Sequence, residues 1–299
     1  MSSAKESGTE GSVQQIGPFR NNRMAALGVS TLFNGISCPP QEYLYSQAAR
    51  TIDPPITHNI QSMVITKEAA RAMQQSAGIN ALISLAVKSG RSYLSAVLPP
   101  HLQEKHHCDA NTANIITSVA TTGFDAARRA VTNTVRDYGN GHTQAAGLMN
   151  KLRHACKGVG PSIVAGFPMS MIFLKAIDKS TKALVSEEEQ KKPITSKAAA
   201  GITVATTAVV APCNAAVFSL STKWRSLYRA NPELSFAEGL RKVSKEIGNN
   251  PAKYLCNRPA LLGSAIGTIP AALAVLTIRE GITWTNAVKN NPKESPRAL

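Results

Sequence analysis

Two sets of residues in this chain could do chemistry. The first set recurs at three places: Pro40-x-Glu42-x-x-Tyr45, Gly123-x-Asp125-x-x-Arg128 and Pro212-x-Asn214-x-x-Val217. An acid and a base three residues apart share one helix face, where they pair locally or with a neighbouring helix. Only the second of these sites holds both. The second set is cationic: Lys88, Arg91 and Lys175 lie within or beside otherwise apolar stretches. A charge in an apolar segment is costly unless it faces a cavity or pathway. Arginine in that setting suits carboxylate or phosphate, which it can grip through two parallel hydrogen bonds. The competing reading for Lys88 and Arg91 is that both reach out to an interface at a helix end.

The elements that must hold these residues are charge-free windows. The clearest runs from Ala198 to Thr222, bounded by Lys197 and Lys223. Its span of about 25 residues exceeds the roughly 20 that cross a bilayer as a helix. Its Ala, Thr, Val and Gly content suits close helix packing in lipid, and Pro212 is tolerated where neighbours satisfy the freed carbonyl. Met24–Gln41, Gly158–Leu174 and Pro259–Ile278 are similar windows. Ala72–Val87 with Ser92–Pro100, and Asn111–Phe124, are apolar runs broken by isolated charges. Short amphipathic or basic helices are expected at Lys67–Gln75, Thr143–Cys156 and Phe236–Glu246. Polar breaks are expected at His101–Asp109 and Glu187–Lys192.

The order apolar helix, short helix, apolar helix is thus stated three times. Pro40, Gly123 and Pro212 recur at intervals of roughly 80–90 residues, as do Gly78, Gly158 and Gly248, and a long fixed period is a fold-level signal. The expected fold is all-α: six membrane helices in three two-helix repeats around a central cavity. The expected boundaries are a polar extension at 1–21, repeats at 22–108, 109–192 and 193–288, and a polar tail at 289–299.

Composition fits an anionic partner. The formal net charge is +15 in 299 residues, yet only 17% of residues are charged, against about a quarter in an ordinary soluble protein. Mean hydropathy is −0.10, so the windows and not the average argue for a membrane. Basic residues gather in the connections after the second and third odd helices (Lys151, Arg153 and Lys157; Lys223, Arg225, Arg229, Arg241, Lys242 and Lys245), and Glu187–Glu189 lie in the connection between them. Such sidedness orients membrane proteins. The five cysteines are scattered, with no CxxC pair, and residues 1–20 do not read as a secretory signal. His106-His107-Cys108-Asp109 is set aside as a metal site, because adjacent side chains rarely converge on one ion. No catalytic or phosphate-loop spacing occurs, so no enzyme activity, cofactor or metal is assigned. Aromatics, at 5%, are not interleaved with the basic residues, which argues against nucleic acid as the partner.

With its three repeats and three helix-end motifs, the chain resembles the mitochondrial carrier family, whose odd helices end in Pro-x-Asp/Glu-x-x-Lys/Arg. The resemblance spans about residues 22–288 and lies more in architecture than in letters: the first motif lacks the base, the second the proline and the third both charges. It implies transport of a small anion by alternating access across the mitochondrial inner membrane, by a monomer. The substrate implied is a nucleotide (ATP or ADP) or another phosphorylated metabolite, moved by exchange. It also implies a matrix-side gate at Pro40, Glu42, Tyr45, Gly123, Asp125, Arg128, Pro212 and Asn214. In that gate Glu42 would pair with Arg128, Asp125 would face Val217 and share Arg128, and Asn214 would meet Tyr45. The family's contact positions fall near Arg91, Phe173, Leu174 and Ser264, with Lys88 and Lys175 adjacent, so these six are the expected substrate-binding residues. Bound cardiolipin is implied near Gly158-Val159-Gly160 and Gly248-Asn249. The family's second motif, on the even helices, is not evident. Two other functions stay open at this point: a carrier-shaped adaptor that no longer transports, and a soluble basic helical protein that binds nucleic acid.

Overall fold

The computed structural model describes residues 22–52, 67–139, 159–186, 188–189, 193–231 and 234–283. Six long helices make the body: α1 (Arg23–Ile52), α2 (Lys67–His106), α3 (Ala110–Gly139), α4 (Val159–Leu184), α5 (Ser196–Ala230) and, after two short ones, α8 (Arg258–Arg279). The short helices are α6 (Phe236–Asn249) and α7 (Pro251–Leu255). Each long helix packs on the next and α8 returns to α1, so the six close a ring; α2 also touches α8. Two-residue strands β1 (Ile194–Thr195) and β2 (Ile282–Thr283) pair in parallel, Ile194 opposite Ile282.

Neighbouring helices run antiparallel. Tyr45 of α1 meets Ser264 of α8, and Thr51, further along α1, meets Asn257, earlier on α8. One end of the bundle, the motif end, therefore holds the C-terminal parts of α1, α3 and α5. The other, the strap end, carries the β1–β2 pair. At the motif end Asn257 joins capping to packing: its oxygen accepts from the Ala260 N–H at 3.1 Å, and its amide donates to Thr51 Oγ1 at 2.9 Å. At the start of α6, Ser235 and Glu238 form a reciprocal capping box.

Beside its apolar core, the ring buries many polar groups and exposes many apolar ones. Buried faces are rich in hydroxyls and amides: Ser30, Asn34, Ser37 and Gln41 on α1, Ser84, Ser89, Ser92 and Ser95 on α2, Thr117, Ser118, Thr121 and Thr122 on α3. Outward faces are apolar: Leu32 and Ile36 on α1, Ile115, Ile116 and Val119 on α3, Ile163 and Val164 on α4, Val204 and Val209 on α5, Leu261 and Leu262 on α8. Water-soluble bundles turn their apolar stripes to the core. Among the described residues, three segments are long and apolar enough to cross a membrane: Val159–Leu184, Ser196–Leu227 and Pro251–Arg279. The sequence reading expected six. Helices α1–α3 have the length, but their serines, threonines, asparagines and isolated charges lower their apolar content.

Two expected boundaries are corrected. Lys67–Gln75 is no separate helix but the first part of α2, and α2 runs through Pro99 and Pro100 to His106 instead of stopping at His101. The break narrows to His107–Asp109, where His107 has a positive φ of 50°, and the Asp109 carboxylate accepts the Asn111 N–H at 3.1 Å. The short helix expected at Thr143–Cys156, with Lys151, Arg153 and Lys157, lies outside the described residues.

Candidate functional site

A cavity of about 220 Å³ lies inside the ring, and all six long helices contribute to its wall. Toward the strap end it is sealed by an apolar cluster drawn from five of them. Ala26 of α1, Ala96 of α2, Ile177 of α4, Ile202 of α5 and Val275 of α8 meet there, with Phe173 packed against them. A polar clamp lies at the same end: Arg279 Nη1 reaches Asp178 Oδ1 at 3.0 Å, and Asn114 donates to Asp178 Oδ2 at 3.0 Å. Sequence reasoning missed this clamp. Its trace in the sequence was a pair of charges, Asp178 and Arg279, each flanking an uncharged window.

The cavity itself is electropositive. Lys88, Arg91 and Arg128 line it, with Asp125 the acid in the wall. Glu42 bridges two of the cations: its Oε1 is 3.4 Å from Lys88 Nζ and 3.4 Å from Arg128 Nη1. Arg128 Nη1 also donates to Ser84 at 3.0 Å. Lys88 lies 3.6 Å from the buried Cys38 sulfur, so it points inward and does not reach out to an interface. Arg91 Nη1 sits 2.8 Å from Asp125 Oδ2 and 3.1 Å from Oδ1, and its Nη2 donates to Ser170 Oγ at 3.3 Å. Three cations against two carboxylates leave an excess positive charge beside the cavity, which favours an anion.

A neutral hub completes the motif end. Gln41 and Asn214 donate their amides to the Tyr45 hydroxyl at 3.3 and 3.0 Å, and Tyr45 is 3.1 Å from Ser264 Oγ. With both amides donating into the phenol oxygen, the phenol proton goes to Ser264. The Tyr45 ring stacks on Phe218, centroids 4.3 Å apart and planes at 12°. This hub ties α1, α5 and α8 together without charge, where the resemblance would place an ionic link.

The expected site residues divide accordingly. Glu42 with Arg128, and Asn214 with Tyr45, are brought together. Asp125 is placed differently: it pairs with Arg91 on α2 and not with Arg128, because an apolar Val217 offers it nothing on α5. Lys88, Arg91 and Phe173 line the cavity. Leu174 does not; it is fully buried one helical position round from Phe173. Lys175 is exposed, since the next 100° of turn carries it outward. Ser264 is buried behind Tyr45 as its acceptor. Pro40, Gly123 and Pro212 are all exposed on the outer surface, so they shape helices and touch nothing in the cavity. Of the residues near which cardiolipin was expected, Val159 and Gly160 open α4 and Gly248 and Asn249 close α6; Gly158 lies outside the described residues. Among the described residues, no group of three or more His, Cys, Asp or Glu could hold a metal ion.

No protein-family model, curated protein or solved structure matches this chain.

Proposed function

We propose that this protein is a membrane solute carrier that moves a small anion by opening alternately to the two sides. The observation that carries this reading is the net-positive cavity enclosed by six helices, of which α1–α3 bury rows of hydroxyls and amides and five carry large apolar residues on their exposed faces. On this reading all six long helices span the bilayer, as three two-helix repeats. Of the buried polar side chains of α1–α3, Asn34, Gln41, Ser92 and Ser95 face the cavity. The form described here is closed at the strap end by the apolar cluster and the Asp178–Arg279 clamp.

The substrate class we favour is a nucleotide or other phosphorylated metabolite, and the membrane the mitochondrial inner membrane; the resemblance to mitochondrial carriers supports both. Small-molecule sites usually occupy roughly 300–1,000 Å³, so the space seen here accommodates the anionic group and a whole nucleotide requires the motif end to widen. Lys88, Arg91 and Arg128 would bind the charge, and the Phe173 and Phe218 rings would face the less polar part.

The test is uptake of labelled ATP, ADP, phosphate and dicarboxylates into liposomes carrying the purified full chain, beside its Arg91→Ala variant. Uptake of one of these anions by the wild type, reduced tenfold or more in the variant, is the expected result. A second reading, a carrier-shaped adaptor, is favoured by Val217 and Asn214, which leave the third motif without charge. Absence of all uptake by inserted, folded protein would replace the first reading with it.

A further inference from the structure

The Arg91–Asp125 pair is not what the three motifs lead one to expect, and its geometry has a use. Asp125 belongs to a helix-end motif, yet its carboxylate is turned across the α2–α3 interface onto the arginine best placed to receive an anion. Both groups stay accessible from the cavity: their side chains are 32% and 21% exposed. The contact is one-sided. Both Asp125 oxygens crowd a single amino group, Nη1, while Nη2, among the described residues, meets the Ser170 hydroxyl at 3.3 Å. Ser170 is in turn satisfied by Thr121, 3.0 Å away, so it loses little if Nη2 lets go. A ligand with two oxygens on one centre can engage both amino groups in parallel, a better fit than Asp125 achieves.

Asp125 is also packed against α4. Helix α4 presents Gly166 to it, and even one added methyl there would stand 3.3 Å from Asp125 Oδ2. Arg128 lies one turn further along α3 and is held by Glu42 at 3.4 Å, the loosest distance among the cavity's charge pairs apart from the equal Lys88 contact.

We propose that Asp125 is a built-in competitor that occupies the Arg91 anion site in the empty protein and is displaced by a ligand bearing paired anionic oxygens, a phosphate or a carboxylate. This rests on the anion-carrier reading and adds how the site is kept closed to weak ligands. Displacement turns Asp125 toward Arg128, which connects arrival of the anion with the Glu42–Arg128 contact at the motif end. An empty cavity with a bare guanidinium would take any anion. One with its own carboxylate takes only those that bind Arg91 better than Asp125 does.

The experiment titrates inorganic phosphate and malate into the full-length wild type, Asp125→Asn and Arg91→Gln proteins in lipid nanodiscs. Asp125→Asn is expected to bind at least one of them tenfold or more tighter than wild type, and Arg91→Gln to lose binding. Equal or weaker binding by Asp125→Asn overturns the inference while leaving the carrier reading intact if the wild type binds. No binding by any of the three overturns both. Should Asp125→Asn not fold, the wild type decides alone: carbodiimide labelling of Asp125, read by peptide mass spectrometry, is expected to rise severalfold when sulfate is added. Unchanged or reduced labelling, with sulfate shown to bind, overturns the inference.

Discussion

The charge pairs of the cavity differ in what their loss should do. Removing one partner of a partly desolvated pair leaves the other charge uncompensated, which costs more than the pair itself contributes. Glu42 faces two cations, so Glu42→Gln strips the counter-ion from Lys88 and Arg128 together. We expect that variant to lower the thermal midpoint in detergent by several degrees, and Lys88→Gln alone to lower it less, because Arg128 would still hold Glu42. A larger effect from Lys88→Gln would contradict the bridging role. Tyr45 is the neutral counterpart. Tyr45→Phe keeps the stack on Phe218 but deprives two amides of their acceptor, at a cost of about 1 kcal/mol. Chemical denaturation that shows no loss for Tyr45→Phe would mean that the hub hydroxyl is dispensable.

At the scale of elements, close helix approach depends on glycine. A methyl added at Gly267 of α8 would run into the buried Gln41 side-chain amide of α1, and one at Gly263 would press Tyr45 at 3.1 Å. Overpacking of this kind typically costs about 1–3 kcal/mol. Gly267→Ala should therefore destabilise the protein, and Gln41→Ala should relieve most of that loss. A double-mutant cycle with no coupling between the two positions would refute the contact. Outside the ring, α6 is held to α5 through Glu246, which meets Lys223 Nζ at 2.9 Å and accepts from the Tyr254 hydroxyl at 2.7 Å. Burial pushes its carboxyl up, but the hydrogen bonds from Lys223 and Tyr254 and the nearby lysine charges outweigh it. The net result is a value below the ordinary 4.5. A group depressed in the folded state supports that state above its unfolded value and loses this support as pH falls through the folded one. Protection of α6 amides from hydrogen exchange, taken relative to the unstructured rate at each pH, should thus be high at neutral pH and fall below about pH 4.5, and Glu246→Gln should remove that dependence. The exposed Phe236, Leu240 and Leu255, flanked by Arg241, Lys242 and Lys245, fit a helix lying at a lipid surface.

For the whole molecule, the exposed apolar surface makes one demand. With apolar residues outward on five of the six long helices and three of them long and apolar enough to cross a membrane, the proposed carrier would be held in lipid. The full chain should stay in the membrane pellet after alkaline carbonate extraction; release into the supernatant would favour the soluble, nucleic-acid-binding alternative and remove the carrier reading. The five-helix apolar cluster and the Asp178–Arg279 clamp lie between the cavity and the strap end. Access to the cavity should therefore be one-sided: a cysteine at Ser95, in a background free of native cysteines, should react with a membrane-impermeant thiol reagent more slowly when that reagent is confined to the strap-end side.

Helix content and the places of the long helices were legible from the sequence, because uncharged windows and their flanking charges are one-dimensional properties. The pairings of Glu42 with Arg128 and Tyr45 with Asn214 were implied by the family resemblance. Three features depended on the fold. Asp125 turned to Arg91 because the nearest neighbour across α2 offered a charge and the distant one, Val217, did not. Leu174 and Lys175 left the cavity because 100° per residue separates them from Phe173. The Asp178–Arg279 clamp joins residues about a hundred positions apart, brought together by ring closure. Local pattern decides which residues share a helix face; which face meets which is settled only when the helices pack.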